Sequence, residues 1–419
     1  MIHFIFFLIF FVSQSTWTYC HEFFCKNTTP SYEPRFDRDL LHSIDISVCA
    51  GGAHESKNSN HETVPILNLY GIQDLYYTFL NYANNPATLQ NLTDEQKTVV
   101  DDFLTLAAAD TTKKIGKVSC DGKFRYCATD ITIIQNLING FFLELIIPFS
   151  RVSVKDITST HQSPTTDTHW TTFYNQLDTL LAAYNTSFNT YHHSLLGDIT
   201  ILGGWTNNTE TSEIFDFFDT SIRTGVIVPT SKQKDTTSAF AIASGYNGHV
   251  GVPIIATTAW GLYDWLTIGA HAKGVYFLKD TSFKRVRTNK EETGYLTLQR
   301  TSARESLGNI WNVGTFLKAD HIIRGLSLQC NYNYTMQEKT ELELFDTALF
   351  SNTIINTDEM LQKWSMHELQ CALEYDFAQD GQKFNPHIKV FYAQTIKGSR
   401  CYLNKSGGFN TGLYIIINF

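Results

Sequence analysis

The sequence predicts an all-β fold: a closed antiparallel up-and-down transmembrane barrel of about twelve strands, with short helices in its long loops. Three observations carry this. Phe 30 and Tyr 20 against Met 4 and Pro 9 favour strands, because aromatic side chains fit a pleated surface. From Leu41 onward, segments of roughly 10 residues alternate apolar with polar or small side chains, the period of a strand with two unlike faces. The connections between these segments alternate between long and short along the whole chain.

The alternating segments are 41–54, 124–136, 141–154, 194–206, 215–230 and 249–263 in the first part of the chain. They continue at 265–279, 306–319, 323–337, 364–378, 385–398 and 407–419. Short links such as "LING" and Asp264 alternate with long ones such as 55–123. If all short turns share one rim, the chain ends on that rim, both termini lie on one side and the strand number is even, as single-chain bacterial barrels require.

Helices are expected within the long loops. "TDEQKTVVDDFLTLAAAD" opens with Thr93 and has Gln96 three residues on, a capping-box pattern, followed by Val99, Phe103, Leu104 and Leu106 on one face. "IQDLYYTFLNYA" and "WTTFYNQLDTLLAAYN" show similar spacing, the second through Trp170, Phe173, Leu177, Leu180, Leu181 and Tyr184. These are expected to cap the barrel mouth rather than to hold a cofactor.

At the amino terminus an unbroken apolar run from Phe4 to Val12 is too short for a membrane helix and suits a signal-peptide core. Residues 1–20 are therefore expected to be a signal peptide, 21–40 a periplasmic segment and 41–419 the barrel, with 55–123 a long helical extracellular loop. The net charge of -9 and the absence of a basic run argue against a nucleic-acid partner. Of the eight cysteines, Cys20 falls at the signal's edge, and the seven that remain do not all pair within one chain. Cys120 and Cys127 bracket "DGKFRY"; a small disulfide loop and two free thiols are both open readings. No zinc spacing, P-loop, G-x-S-x-G or H-E-x-x-H motif occurs, so neither metal nor cofactor nor enzymatic activity is expected.

Strand polarity bears on the environment. In "LSLQCNYNY", Leu326, Leu328, Cys330, Tyr332 and Tyr334 point one way, and Ser327, Gln329, Asn331 and Asn333 the other. In a membrane barrel the dry face meets lipid and the wet face lines the lumen. The export signal, the long loops on one rim and the aromatic residues near strand ends favour that arrangement. Carried through the strands, the alternation puts Asp130, Glu144, Arg223, His271, Lys273, Lys318, Glu368, Glu374, Asp376 and Lys389 on the wet face as candidate lumen-lining residues. Mixed charges of this kind set solute preference in a pore, or pair across a filled interior.

The last segment, "TGLYIIINF", has Leu413, Ile415, Ile417 and Phe419 on one face. Over 41–419 the chain resembles bacterial outer-membrane β-barrel proteins, which end in such an apolar strand closed by Phe. That resemblance implies those four residues as an assembly signal, outer-membrane lipid and the barrel-assembly machinery as partners, and a porin-like passage for small solutes. The glycine usual near the sixth place from the end is Tyr414 here, with Gly412 two residues earlier. "RTGVIVPTSKQKD" also looks like the "PTGK" strand-to-loop turns of barrels related to fatty-acid and aromatic-hydrocarbon uptake proteins, which leans towards transport. Two rival classes are a surface or adhesion barrel with a plugged lumen and a barrel hydrolase. For the hydrolase the candidate histidines are His249, His192, His193 and His321, none paired in sequence with a nucleophile. Sequons at Asn27, Asn91, Asn185, Asn207, Asn333 and Asn404 would also suit a secreted glycoprotein, but arise by chance in an Asn- and Thr-rich chain.

Overall fold

The computed structural model describes residues 42–83, 92–161, 163, 167–209, 215–263, 265–323, 325–345, 351–377 and 384–415. The expected signal peptide, the 21–40 segment, Ile417 and Phe419 lie outside the described residues, as do the side chains of Leu413 and Ile415.

Twelve strands form the wall. They are β1 (His42–Ala53), β2 (Lys117–Asn136), β3 (Phe141–His161), β4 (Ile199–Thr209), β5 (Phe217–Val228) and β6 (Gly251–Tyr263). After them come β7 (Leu266–Phe277), β8 (Ile310–Ile323), β9 (Leu326–Gln337), β10 (Trp364–Asp376), β11 (Phe384–Ser399) and β12 (Lys405–Ile415). Each pairs antiparallel with its neighbour in sequence, and β1 closes the ring on β12, in register from His42↔Ile415 to Gly52↔Lys405. Short and long connections alternate as the sequence predicts. The "LING" link is a tight turn: Asn139 and Gly140 both have positive φ (57° and 79°), and the Phe141 amide donates to the Ile138 carbonyl. That is the Asn-Gly turn whose twist matches paired strands.

The barrel has the inverse polarity of a soluble one. Side chains pointing out are apolar and exposed, among them Ile44, Leu143, Ile222, Ile254, Leu369 and Val390. Those pointing in are polar and buried, among them Gln329, Asn331, Thr335 and Gln370. Apolar exposure around a whole wall exceeds the few hundred Å² patches of soluble monomers, and is the surface that lipid covers on a transmembrane barrel. Aromatic side chains flank this belt: Phe141, Trp205, Trp265 and Tyr375 towards the short turns, Tyr276 and Trp311 towards the long loops. Along β7, Trp265 and Tyr276 are separated by about 28 Å of barrel height, at roughly 3.3 Å per residue and a tilt of about 40°, close to a typical apolar band of about 25 Å. No described helix is long and apolar enough to cross a membrane.

Inward-facing aromatics are set by glycines on adjacent strands. Phe142 faces Gly204, Phe217 faces Gly261, Phe316 faces Gly269, and Phe391 faces Gly408, each pair directly opposed. At each of these glycines an added Cβ would collide with the opposing ring. The rings therefore lie flat on the wall, across backbone that only glycine leaves uncovered.

Three features depart from the sequence expectation. β2 and β3 have 20 and 21 residues, so β2 begins at Lys117 and shortens the 55–123 loop. Segment 194–206 is two strands, since Tyr191–Leu196 pairs with Phe149–Val154 of β3 before β4 starts at Ile199. The long 278–309 link contains a hairpin, Asp280–Val286 with Gln299–Ser306, joined by Glu341–Leu344 into a three-stranded sheet.

The expected helices form: α1 (Leu75–Ala83), α2 (Asp94–Ala109) and α3 (Thr168–Ala183). Thr93 and Gln96 make the reciprocal capping box of α2, and the Asp167 carboxylate accepts from the His169 and Trp170 amides at the start of α3. α2 and α3 pack through Phe103 and Phe173, stacked at 3.9 Å, with Phe79 of α1 edge-on to Phe173 at 5.3 Å. This dry core continues onto Phe124 and Tyr126 of β2, Val152 and Val154 of β3, and Trp364 and Met366 of β10, all inward positions near the long-loop rim. The cap is thus seated in the mouth of the barrel.

Candidate functional site

The polar interior is the candidate site, because closure of the sheet brings there side chains distant in sequence. All ten charged or titratable residues expected to point inward lie at inward positions, and Asp130, Glu144, Arg223, His271, Lys318, Glu368 and Lys389 are buried. Lys273 and Glu374 are half-buried, and Asp376 is exposed at the short-turn end of β10. Several of them pair, the second of the two arrangements open from the sequence. Glu144 pairs with Arg223, and Lys318, Glu374 and Lys389 form a cluster, because a buried charge without a direct partner is costly.

Near the short-turn rim, Lys318 Nζ contacts Asp320 at 2.9 Å and Glu374 at 3.8 Å. Lys389 Nζ contacts the other oxygen of Glu374 at 3.7 Å and donates to Gln329 Oε1 at 2.7 Å. Gln329 donates to Asn331, which donates to Gln370, so amides link β9 to β10 above the lysines. His387 Nε2 lies 3.3 Å from Asp45 Oδ1, across the closing strands.

On the far wall, Arg223 of β5 reaches over β4 to Glu144 of β3, Nη1 to Oε2 3.0 Å. β4 permits this because its inward residue at that level is Gly204, which Phe142 covers; the guanidinium sits 5.6 Å from the Phe142 ring centre. Between these clusters runs one row of directly opposed residues, His271, Gly314, Asn333 and Glu368. His271 Nε2 meets Asn312 Oδ1 at 2.9 Å, which leaves Nδ1 without a partner among the described residues. Both amide atoms of Asn333 are also unpartnered there, although the residue is only 2% exposed. The row therefore holds hydrogen-bonding capacity that no described residue uses.

Charge is biased along the interior. Asp45, Asp130, Glu144, Asp219, Asp320, Glu368, Glu374 and Asp376 face inward, against Arg223, Lys273, Lys318 and Lys389. Carboxylates thus outnumber cations two to one among the described residues. Asp45, Asp219 and Asp320 were not among the expected lumen residues, although the same alternation places them.

Above the mouth a cavity of about 130 Å³ lies between the 280–306 hairpin and the 338–363 loop, bordered by Lys284, Glu305, Gln337 and Trp364. Gln337 and Trp364 are the topmost inward residues of β9 and β10, and Trp364 Nε1 donates to Gln337 at 2.6 Å. A buried latch closes its side: His249 directs Nδ1 to the Leu278 carbonyl at 2.8 Å and Nε2 to Glu305 at 3.0 Å, and Lys284 also pairs with Glu305. Burial opposes charge on both groups, but the pairing outweighs it. His249 is raised above its ordinary value, and Glu305 is held down at about 2 by Lys284 and His249.

His249 has both ring nitrogens engaged, so it leaves none to activate a nucleophile. His192 contacts Arg151 at the surface. No cluster of metal-ligating side chains occurs among the described residues. The sequons at Asn333 and Asn404 sit on side chains 2% and 1% exposed, closed to a glycan. Cys120 and Cys127 lie on one strand, β2, and both thiols are free, so the small loop they might close does not form.

No family model and no curated protein matches the sequence. Among solved structures, an outer-membrane channel from Pseudomonas putida F1 is similar with a TM-score of 0.49 and 9% identity, over 90% of this chain and 96% of that one. The translocator domain of the autotransporter NalP from Neisseria meningitidis is similar at 0.36 and 9% identity, over 90% and 89%. The toluene transporter TodX of Pseudomonas putida is similar at 0.28 and 9% identity, over 89% and 88%.

Proposed function

We propose that the protein is a bacterial outer-membrane channel or transporter for small polar solutes, with a preference for cationic ones. The observation that carries this is the inverted barrel, whose apolar belt meets lipid and whose closed polar interior has two carboxylates for each cation. An acidic passage between low-dielectric walls concentrates cations and repels anions. The half-buried Lys273 and the row from His271 to Glu368 would supply polar contacts within that interior. In this reading the barrel-assembly machinery inserts the chain, and the apolar end of the last strand is its signal.

Planar-bilayer recording of the refolded protein tests it. Unitary current steps are expected, with a reversal potential in a salt gradient that favours cations, shifted towards anions by Glu368→Lys and further towards cations by Lys273→Glu. A folded barrel, recognised by heat-modifiable migration in detergent gels, that gives no unitary steps would refute the channel. One observation favours a second reading: the dry cap core rests on inward residues of β2, β3 and β10, as in a surface barrel with a sealed lumen. A silent but folded barrel is the outcome that reading requires.

A further inference from the structure

The cysteines fall in unlike places. Cys49 points inward from β1, Cys127 points outward from β2, Cys120 is buried beneath the cap and Cys401 lies in the link before β12. Cys330 and Cys371 are free thiols like these but differ in placement. They are directly opposed on β9 and β10, both on the outward face, with their sulfurs 3.1 Å apart. Directly opposed residues of an antiparallel pair hold their Cβ atoms about 4.5–5.5 Å apart, against the roughly 3.5–4.5 Å of a disulfide, so a small inward shift suffices.

We propose that Cys330 and Cys371 form a cross-strand disulfide in the exported protein, a covalent staple between β9 and β10. The oxidant is a protein disulfide of an oxidising compartment, acting by thiol–disulfide exchange. The thiolate of Cys330 attacks that disulfide, forms a mixed disulfide and expels one thiolate of the oxidant. The thiolate of Cys371 then attacks the Cys330 sulfur and expels the second. The two cysteine protons pass through water to the two expelled thiolates, so the oxidant's S–S bond breaks and it leaves as a dithiol, while one S–S bond joins the strands. Exchange needs a solvated thiolate, so it takes place before the outward face is covered by lipid. The bond encloses the whole 338–363 loop, which borders the cavity above the mouth, and fixes the register of the two strands that flank it.

The test is a linkage map of the full chain purified from membranes of exporting cells, denatured with N-ethylmaleimide and no reductant, digested and analysed by mass spectrometry. The expected result is a joined pair of peptides containing Cys330 and Cys371, two hydrogens lighter than the two thiol peptides together and separated by dithiothreitol. In Cys330→Ser, Cys371 should become labelled while heat-modifiable migration persists. If Cys330→Ser does not fold, Cys371→Ser gives the reciprocal labelling. Label on both cysteines of the wild-type chain, or a link from either one to a different cysteine, overturns the proposal whether or not the barrel conducts.

Discussion

Replacing Gly204 by Ala should destabilise the barrel by about 1–2 kcal/mol, although the change only adds a methyl group. The new Cβ would stand 2.7 Å from two carbons of the Phe142 ring and closer still to a third, where ordinary contact begins near 3.4 Å. Phe142 is 1% exposed and held from above by Arg223, so it has nowhere to retreat without lifting the guanidinium from Glu144. Overpacking of a tight site costs about 1–3 kcal/mol. A weakened cation–π contact adds up to about 1 kcal/mol. Against these, Ala restricts the unfolded chain and returns about 0.4–1 kcal/mol. The remainder corresponds to roughly 5- to 30-fold in the folding equilibrium. Urea unfolding of protein refolded into lipid vesicles measures it, with Phe142→Leu as the second arm of a double-mutant cycle. Phe142→Leu alone should destabilise, but should recover stability in the Gly204→Ala background because the smaller side chain clears the methyl group. A Gly204→Ala barrel as stable as the parent, or a double variant additive to within about 0.5 kcal/mol, would show that the ring does not lie against Gly204.

Three further outcomes follow from the clusters and the wall. Glu374→Gln removes the carboxylate in direct contact with Lys389 and leaves it only the more distant Asp45, so it should cost about 3 kcal/mol in urea unfolding and reduce cation preference in reversal-potential measurements; adding Lys389→Met should restore most of the stability, and a failure to do so sinks the pairing. At the latch, the raised pKa of His249 means its contribution is complete below its ordinary value of 6.5 and disappears as pH rises through the folded value. Glu305, depressed to about 2, contributes fully above 4.5 and loses that contribution as pH falls towards about 2. The 280–306 hairpin should therefore be best protected from hydrogen exchange near pH 5.5 and less so at pH 9, and His249→Gln should remove the difference; equal protection at both pH values in the parent would discard the latch. Along the closing seam, amides of Gly407 to Gly412 should exchange faster than those of Leu328 to Tyr334, and the reverse order would mean that the seam is held by more than its ladder.

Much of the barrel was legible because a strand with one apolar and one polar face alternates apolar with polar or small side chains, and the twelve segments largely keep that period. The same alternation placed the ten inward residues. It could not say how they associate, since Lys318, Glu374 and Lys389 meet only once register fixes β8, β10 and β11 relative to one another. Register also hid the opposition of Cys330 and Cys371, which the long 338–363 loop separates in sequence. The hairpin at 280–306 was read as loop because Lys284, Arg285, Arg300 and Arg304 break the apolar period there. Phe124 and Val152 have the alternation of wall residues, yet they belong to the cap; periodicity records which face a side chain takes, not what covers it.

The closing register has a kinetic consequence. Around the wall every pairing joins strands adjacent in sequence, which keeps most contacts local; β1 with β12 is the exception, bridging nearly the whole chain. Such a closure carries the largest loss of chain entropy of any pairing in the molecule. Five of its eleven pairs contain a glycine, among them Gly407 with Ala50, Gly408 with Cys49, Gly51 with Ser406 and Gly412 with Asp45, although Val48 still faces Phe409. Cross-strand side-chain pairs supply much of a sheet's cohesion, and at the glycine-bearing half of this seam there is little of it. The seam is accordingly expected to be the last junction to zip during assembly.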